Sequence, residues 1–133
     1  METKYTIHTD GGARGNPGPA ACAFVVSSGD EVVFQRGWYI GETTNNQAEY
    51  QAVHGALTWA TEHQAKEVHI VSDSELIVKQ LRGEYKVKNK ELAPWHQKVL
   101  LLARQFPLID FTVVKREKNV EADALVNETL DAQ

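Results

Sequence analysis

Apolar and polar residues alternate from residue 3 to residue 10, with Tyr5 and Ile7 set against Lys4, Thr6 and His8. A period of two predicts a strand with one buried face. A second strand is expected over residues 20–28 and a third over 31–40, joined by a turn at Ser27 to Asp30. Three early strands with short connections imply an antiparallel meander. The period then changes. Thr44-Asn45-Asn46-Gln47 has the form of a capping box, with Thr44 as N-cap. Glu49, Val53, Ala56 and Ala60 follow at helical spacing, which puts Glu49 on the face that carries core residues. Solvated glutamates usually occupy the other face, so this placement is informative.

Val68 to Val71 reads as a short strand. Ser72-Asp73-Ser74-Glu75 can cap a helix running to Arg82, with Gly83 as its stop. Another helix is expected over 91–106, with Leu92, Trp95, Val99 and Leu102 as its apolar stripe. Ile109 to Val114 forms the last strand. The final helix begins near Asn119 and turns Ala122, Leu125, Val126 and Leu130 inward. The order is β-β-β-α-β-α-α-β-α, which makes an α/β fold with a mixed sheet and helices packed on it. Strands interleaved with helices pair in parallel with a neighbour.

Composition narrows the class. A chain of 133 residues with 42% hydrophobic and 24% charged residues is expected to form one domain over 1–133 with a real core. No apolar run approaches a membrane span, and the N-terminus lacks a signal pattern. One cysteine, Cys22, excludes an internal disulfide, so the cytoplasm is the expected compartment. A monomer is expected. The net charge of −4 argues weakly against a polyanionic partner, but its distribution does not. Lys79, Arg82, Lys86, Lys88 and Lys90 stand against Glu84 alone, and Lys115, Arg116 and Lys118 form a second basic cluster.

Candidate chemistry begins at Asp10. The segment Asp10-Gly11-Gly12-Ala13-Arg14-Gly15-Asn16-Pro17-Gly18-Pro19 sets a carboxylate at the expected end of the first strand, beside backbone that a ligand can approach. It is neither a P-loop nor a G-x-G-x-x-G turn. Glu49 opens the first helix, Asp73 ends the fourth strand, and Asp123 lies in the first turn of the last helix. Clustered carboxylates repel one another and need a cation, and oxygen-only ligation favours Mg²⁺ or Mn²⁺ over zinc. His8, His54, His63, His69 and His96 are scattered without zinc spacing and read as structural or surface residues. Cys22 has no evident base, and no G-x-S-x-G elbow exists, so nucleophilic catalysis is disfavoured.

Taken together, Thr9-Asp10-Gly11-Gly12, Gly15-Asn16-Pro17-Gly18-Pro19, Thr44-Asn45-Asn46-Gln47-Ala48-Glu49-Tyr50, Ser72-Asp73-Ser74 and Glu121-Ala122-Asp123-Ala124-Leu125 resemble the type 1 ribonuclease H family. The motifs occur in family order and cover nearly the whole chain. The resemblance implies a ribonuclease H-like fold, with a five-stranded sheet of three antiparallel strands followed by two parallel ones. It implies endonucleolytic hydrolysis of the RNA strand of RNA–DNA hybrids by two metal ions, leaving 5′-phosphate and 3′-hydroxyl ends. Asp10, Glu49, Asp73 and Asp123 match the family's metal-binding acids, with Asp10 touching both ions. Gly11, Asn16, Thr44, Asn45, Asn46 and Gln47 match positions that contact the hybrid. Amides suit that task because they offer both donor and acceptor to a 2′-hydroxyl.

Two departures distinguish this chain from many relatives. Arg116-Glu117-Lys118-Asn119 fills a loop that elsewhere carries a histidine, which resembles a histidine-less branch with Arg116 or Glu117 as a substitute. The long basic protrusion of some members is absent, because only a short segment separates Arg82 from Glu91, and Tyr85 falls where relatives often have tryptophan. Tyr85, Lys86 and Lys88 are the expected substrate contacts there. Two other readings are a non-catalytic module that binds hybrid or double-stranded RNA, and a same-fold nuclease acting on double-stranded RNA.

Overall fold

The computed structural model describes residues 3–133. Its elements are β1 (Lys4–Ala13), β2 (Gly18–Ser28), β3 (Glu31–Thr43), α1 (Asn45–Glu62), β4 (Glu67–Ser72), α2 (Glu75–Leu81), α3 (Ala93–Ala103), β5 (Leu108–Val113) and α4 (Val120–Asp131). A short 3₁₀ helix, Arg116–Lys118, precedes α4. The order is the one expected. The strands form one five-stranded sheet in the order β3-β2-β1-β4-β5. Pairs β1–β2 and β2–β3 are antiparallel, while β1–β4 and β4–β5 are parallel.

One expected boundary is wrong in an instructive way. Asp10 does not end the first strand. Strand β1 continues through Gly11 and Gly12 to Ala13, with Asp10 opposite Ala23 and Gly11 opposite Cys22 on β2. What ends near Asp10 is the other ladder: β1 and β4 pair only as far as His8 opposite Val71. The sheet therefore forks, with β1 held by β2 while β4 stays with β5 through Ser72 opposite Val113. The turn between β1 and β2 is short. Arg14 N donates to the Pro19 carbonyl at 2.8 Å, and Gly15 takes a φ of +95°, open to glycine without a Cβ penalty.

Helices cover both faces of the sheet. Because side chains alternate along a strand, Ala20 and Cys22 meet Ala48 and Ala52 of α1, while Ala21 and Ala23 meet Val126 and Leu130 of α4 on the opposite side. The small residues let both helices come close. Deeper in the sheet the main core joins Ile7, Phe24, Val26, Val68 and Ile70 to Tyr50, Val53, Leu57 and Ala60. Helix α3 is shorter than expected, with Leu92 as N-cap and Pro94 in its first turn. Its stripe holds, since Leu92 and Val99 are buried and Trp95 and Leu102 pack partly against the core.

The capping box forms only by half. Thr44 Oγ1 accepts from Gln47 N at 3.3 Å, but the Gln47 side chain donates instead to Glu91. Ser74 caps α2 in the same way, accepting from Ile77 N at 3.4 Å. Among the described residues no helix is long and apolar enough to cross a membrane.

Candidate active site

The fork in the sheet is where the acids converge. A Cβ on Gly11 would lie 2.3 Å from both the carbonyl carbon and the oxygen of Ala48, so only glycine lets α1 sit this close to β1. That approach brings Glu49 to the strand, and Gly11 N donates to Glu49 Oε1 at 3.0 Å. Glu49 itself falls just past the first turn of α1 rather than at its opening. Asp73 follows directly after β4. Ligand oxygens of Asp10, Glu49 and Asp73 all lie within 4.8 Å of one another. With Asp123, Asn45 and Arg116 these residues line a cleft of about 430 Å³.

The acids repel each other in an enclosed place. Burial, then Asp73 and Asp123, push the Asp10 carboxyl up to about 7, against the Gly11 N–H that opposes the rise. Glu49 is raised for the same reasons, burial first and then Asp10 and Asp73. Burial also raises Asp73, offset in part by the Arg116 guanidinium. An arrangement that holds three carboxylates together against their preference suits a hard divalent cation, which offsets both the desolvation and the repulsion. Asp123 faces the cleft from α4 but stands outside the close trio. Its Oδ1 lies 3.7 Å from Arg116 Nη2, whose side chain is 81% exposed.

The sequence places Asn119 in the loop that elsewhere carries a histidine but does not single it out as a site residue. It reads as a helix cap, and it does occupy the N-cap of α4, but its side chain caps nothing. The amide turns inward instead. Nδ2 donates to the Thr9 carbonyl at 2.9 Å, and the amide also bears on the Asp73 carboxylate, holding its proton affinity down. Asn119 Oδ1 and Thr9 Oγ1 are buried without a hydrogen-bond partner among the described residues. Thus one buried side chain ties β1 beside Asp10 to Asp73 and to the helix that carries Asp123.

Of the other expected contacts, Asn45 and Arg116 line this cleft, and Asn16 bonds to Asn45. Asn45 Oδ1 accepts from Ala13 N at 2.8 Å, and Asn16 Oδ1 accepts from Asn45 N at 2.9 Å. Asn46 is half-buried. Lys86 and Lys88 are exposed on either side of half-buried Val87, which packs against the main core. Lys79 and Arg82 do not form a free positive strip. Lys79 Nζ lies 5.2 Å from the Tyr85 ring centre and 3.5 Å from Glu75, and Arg82 Nε donates to the Phe111 carbonyl at 2.7 Å.

Three of the histidines pack against aromatic rings. His63 stacks on Trp59, His54 meets Trp95, and His96 meets Tyr50. Cys22 Sγ donates to the Ala48 carbonyl, and burial pushes its thiol up. A larger cleft of about 530 Å³, between β3 and α1, has walls of Phe34, Trp38, Trp59 and Trp95. Among the described residues no cluster of acids lies in it, so the candidate chemistry stays at the fork.

Residues 8–129 match the family model described as reverse transcriptase-like. Over 123 residues the chain is 42% identical to a ribonuclease HI of Halobacterium salinarum, covering 92% of this chain and 62% of the relative. A ribonuclease HI of Caulobacter vibrioides is 34% identical, covering 98% of this chain and 95% of the relative. The chain belongs to the type 1 ribonuclease H family. A bifunctional protein of Mycobacterium tuberculosis is 40% identical over 97% of this chain, which spans only 36% of that relative's length.

Solved structures of the family superpose closely. Ribonuclease H1 of Halobacterium salinarum matches with a TM-score of 0.94 at 39% identity, covering 98% of this chain and 99% of that one. A compost-derived ribonuclease H1, solved in complex with an RNA/DNA hybrid, matches with a TM-score of 0.92 at 42% identity, covering 97% and 98%. These matches confirm the expected ribonuclease H fold.

Proposed function

We propose that this chain hydrolyses the RNA strand of RNA–DNA hybrids, with Asp10, Glu49, Asp73 and Asp123 holding two divalent cations, Mg²⁺ or Mn²⁺. The observation that carries the reading is the trio of carboxylates within 4.8 Å of one another at the fork. A similar ribonuclease H1 was solved with a hybrid bound, which supports the choice of substrate. When bound, such ions supply activation of the attacking water and charge stabilisation at the leaving 3′ oxygen, giving 5′-phosphate and 3′-hydroxyl ends. The chain's own residues do the rest. Gly11 N–H orients Glu49, Asn119 holds Asp73 and β1 in place, and Asn16, Thr44, Asn45, Asn46 and Gln47 meet the hybrid. Tyr85, Lys86, Lys88 and Arg116 extend that contact along the phosphates.

A non-catalytic binding module has no use for three acids whose charged forms are disfavoured by burial and mutual repulsion. The test is incubation with hybrid, double-stranded RNA and double-stranded DNA, with and without Mg²⁺. We expect Mg²⁺-dependent cleavage of the hybrid's RNA strand, and a loss of ~10²–10³ or more for Asp10→Asn and Asp73→Asn. Near-normal turnover of Asp10→Asn at saturating Mg²⁺ would sink the assignment.

A further inference from the structure

Three side-chain amides surround the start of α1, and the fold fixes which end of each one faces outward. Asn45 Oδ1 and Asn16 Oδ1 both accept from backbone N–H groups, at 2.8 Å and 2.9 Å. A backbone N–H can only donate, so these oxygens are turned inward and the nitrogens are left to donate. Gln47 is held the other way round. Its Nε2 donates to Glu91 Oε2 at 2.6 Å, a charge-assisted bond. A carboxylate repels an amide oxygen, so Gln47 Oε1 is turned away from Glu91. Glu91 is itself anchored: its N–H donates to Asn89 Oδ1 at 2.7 Å, and the same oxygen accepts from the N–H of buried Leu92 at 3.3 Å.

Acceptors find few partners on a hybrid. Phosphate oxygens, sugar ring oxygens and most minor-groove base atoms accept, and the donors available there are the 2′-hydroxyl and the guanine amino group. We infer that Glu91 is a positioning residue that presents the Gln47 amide oxygen as an acceptor for a 2′-hydroxyl of the RNA strand. Asn16 and Asn45 present donors beside it. The inference deepens the hybrid-cleavage reading and rests on it.

The experiment uses the full chain with Mg²⁺ and hybrids in which one ribose at a time carries 2′-fluorine, which keeps the size but cannot donate. We expect one position at which the fluorine raises KM ~3–10-fold, the size of one hydrogen bond, with a smaller change in kcat. In Glu91→Ala, KM on the all-ribose hybrid rises by a similar factor and the fluorine penalty at that position disappears. Such coupling between a protein change and a substrate change is what a positioning role produces and a merely structural one does not. Gln47→Ala abolishes the same penalty, and Glu91→Gln, which keeps an accepting oxygen, retains part of it. Equal penalties in the wild type and Glu91→Ala at every position overturn the inference. So does coupling that follows replacement of guanine by hypoxanthine rather than the sugar. Failure of the wild type to cleave the all-ribose hybrid sinks the hybrid reading itself, a distinguishable result.

Discussion

The amide nitrogen of Asn119 lies 2.9 Å from the carbonyl oxygen of Thr9, at the point where β1 and β4 cease to pair. A backbone carbonyl that loses its ladder partner in a buried place needs another donor, and Asn119 supplies it. Removing that donor leaves the Thr9 carbonyl unsatisfied, which costs ~1–3 kcal/mol. We expect Asn119→Ala to lower the melting temperature and to raise the Mg²⁺ concentration needed for half-maximal activity, since Asp73 loses a support as well. Asn119→Ser, which can still donate, should recover part of both. A metal titration of activity beside a thermal melt checks this.

Gly11 should tolerate nothing larger. Alanine there meets the Ala48 backbone at 2.3 Å, and α1 must shift away from β1. Overpacking of this kind costs ~1–3 kcal/mol. The larger effect should fall on activity, because Glu49 moves with α1 and its bond to Gly11 N is lost. We expect Gly11→Ala to remain folded by circular dichroism while kcat falls on the order of tenfold or more. Gly12, whose added Cβ would meet only ordinary contacts at 3.8 Å and beyond, should accept alanine with much less harm.

A pH dependence of stability arises far from the cleft. His69 on β4 is clamped between Glu67 Oε2 at 2.5 Å and Asp110 of β5 at 2.9 Å, with Lys4 of β1 lying 3.5 Å from Glu67. The hydrogen bond to Glu67, then that to Asp110, raises the histidine above its ordinary value of 6.5. A raised histidine contributes stability that is fully present below that value and is lost as pH rises through the folded-state one. Partly exposed ion pairs contribute ~0.2–1 kcal/mol. The melting temperature of the wild type should exceed that of His69→Gln at about pH 5.5, and the gap should close by about pH 8.5. Comparing the two chains cancels the acids of the cleft, which respond to pH in both.

Salt reports how the substrate is held. Lys86 and Lys88 are exposed, whereas the charged groups of Lys79 and Arg82 are engaged with Glu75 and the Phe111 carbonyl. Each phosphate contact contributes ~0.9 to the slope of log affinity on log salt for a B-form duplex, and a similar size is taken for a hybrid. Replacing both lysines with alanine should flatten that slope by about one to two, with KM changing far more than kcat. KM and kcat across a salt series provide the measurement. An unchanged slope would move the contact to Lys115, Arg116 and Lys118.

The element order and the trio of acids are legible in the sequence because alternation, helical spacing and caps are local signals. Asp10, Glu49 and Asp73 can be joined from the sequence because each sits in a short motif of the resemblance, although Asp10 does not end its strand and Glu49 lies past the first turn of α1. The extension of β1 through Gly11 and Gly12 is not legible. Glycine reads as a strand breaker by propensity, whereas here it answers the approach of α1, which lies 38 residues away in the case of Glu49. Asn119 is hidden for a similar reason, since a cap and an inward-turned amide share the same residue type and position. Gln47 reads as closing a capping box, but a carboxylate brought in by the loop before α3 competes better for its amide.

The fork gives the carboxylates a history as well as a place. Asp10 and Asp73 become neighbours only when β1 pairs with β4, across roughly sixty residues of chain. Until that pairing forms, each is an ordinary solvated acid with nothing to repel. Self-repulsion is therefore a property of the finished sheet alone, and so is the opportunity to relieve it. A divalent cation that finds three converging oxygens only in the native state stabilises that state by mass action and leaves the unfolded chain untouched. The protein completes its sheet against the charge of its own site, and a divalent cation held by those acids favours completion.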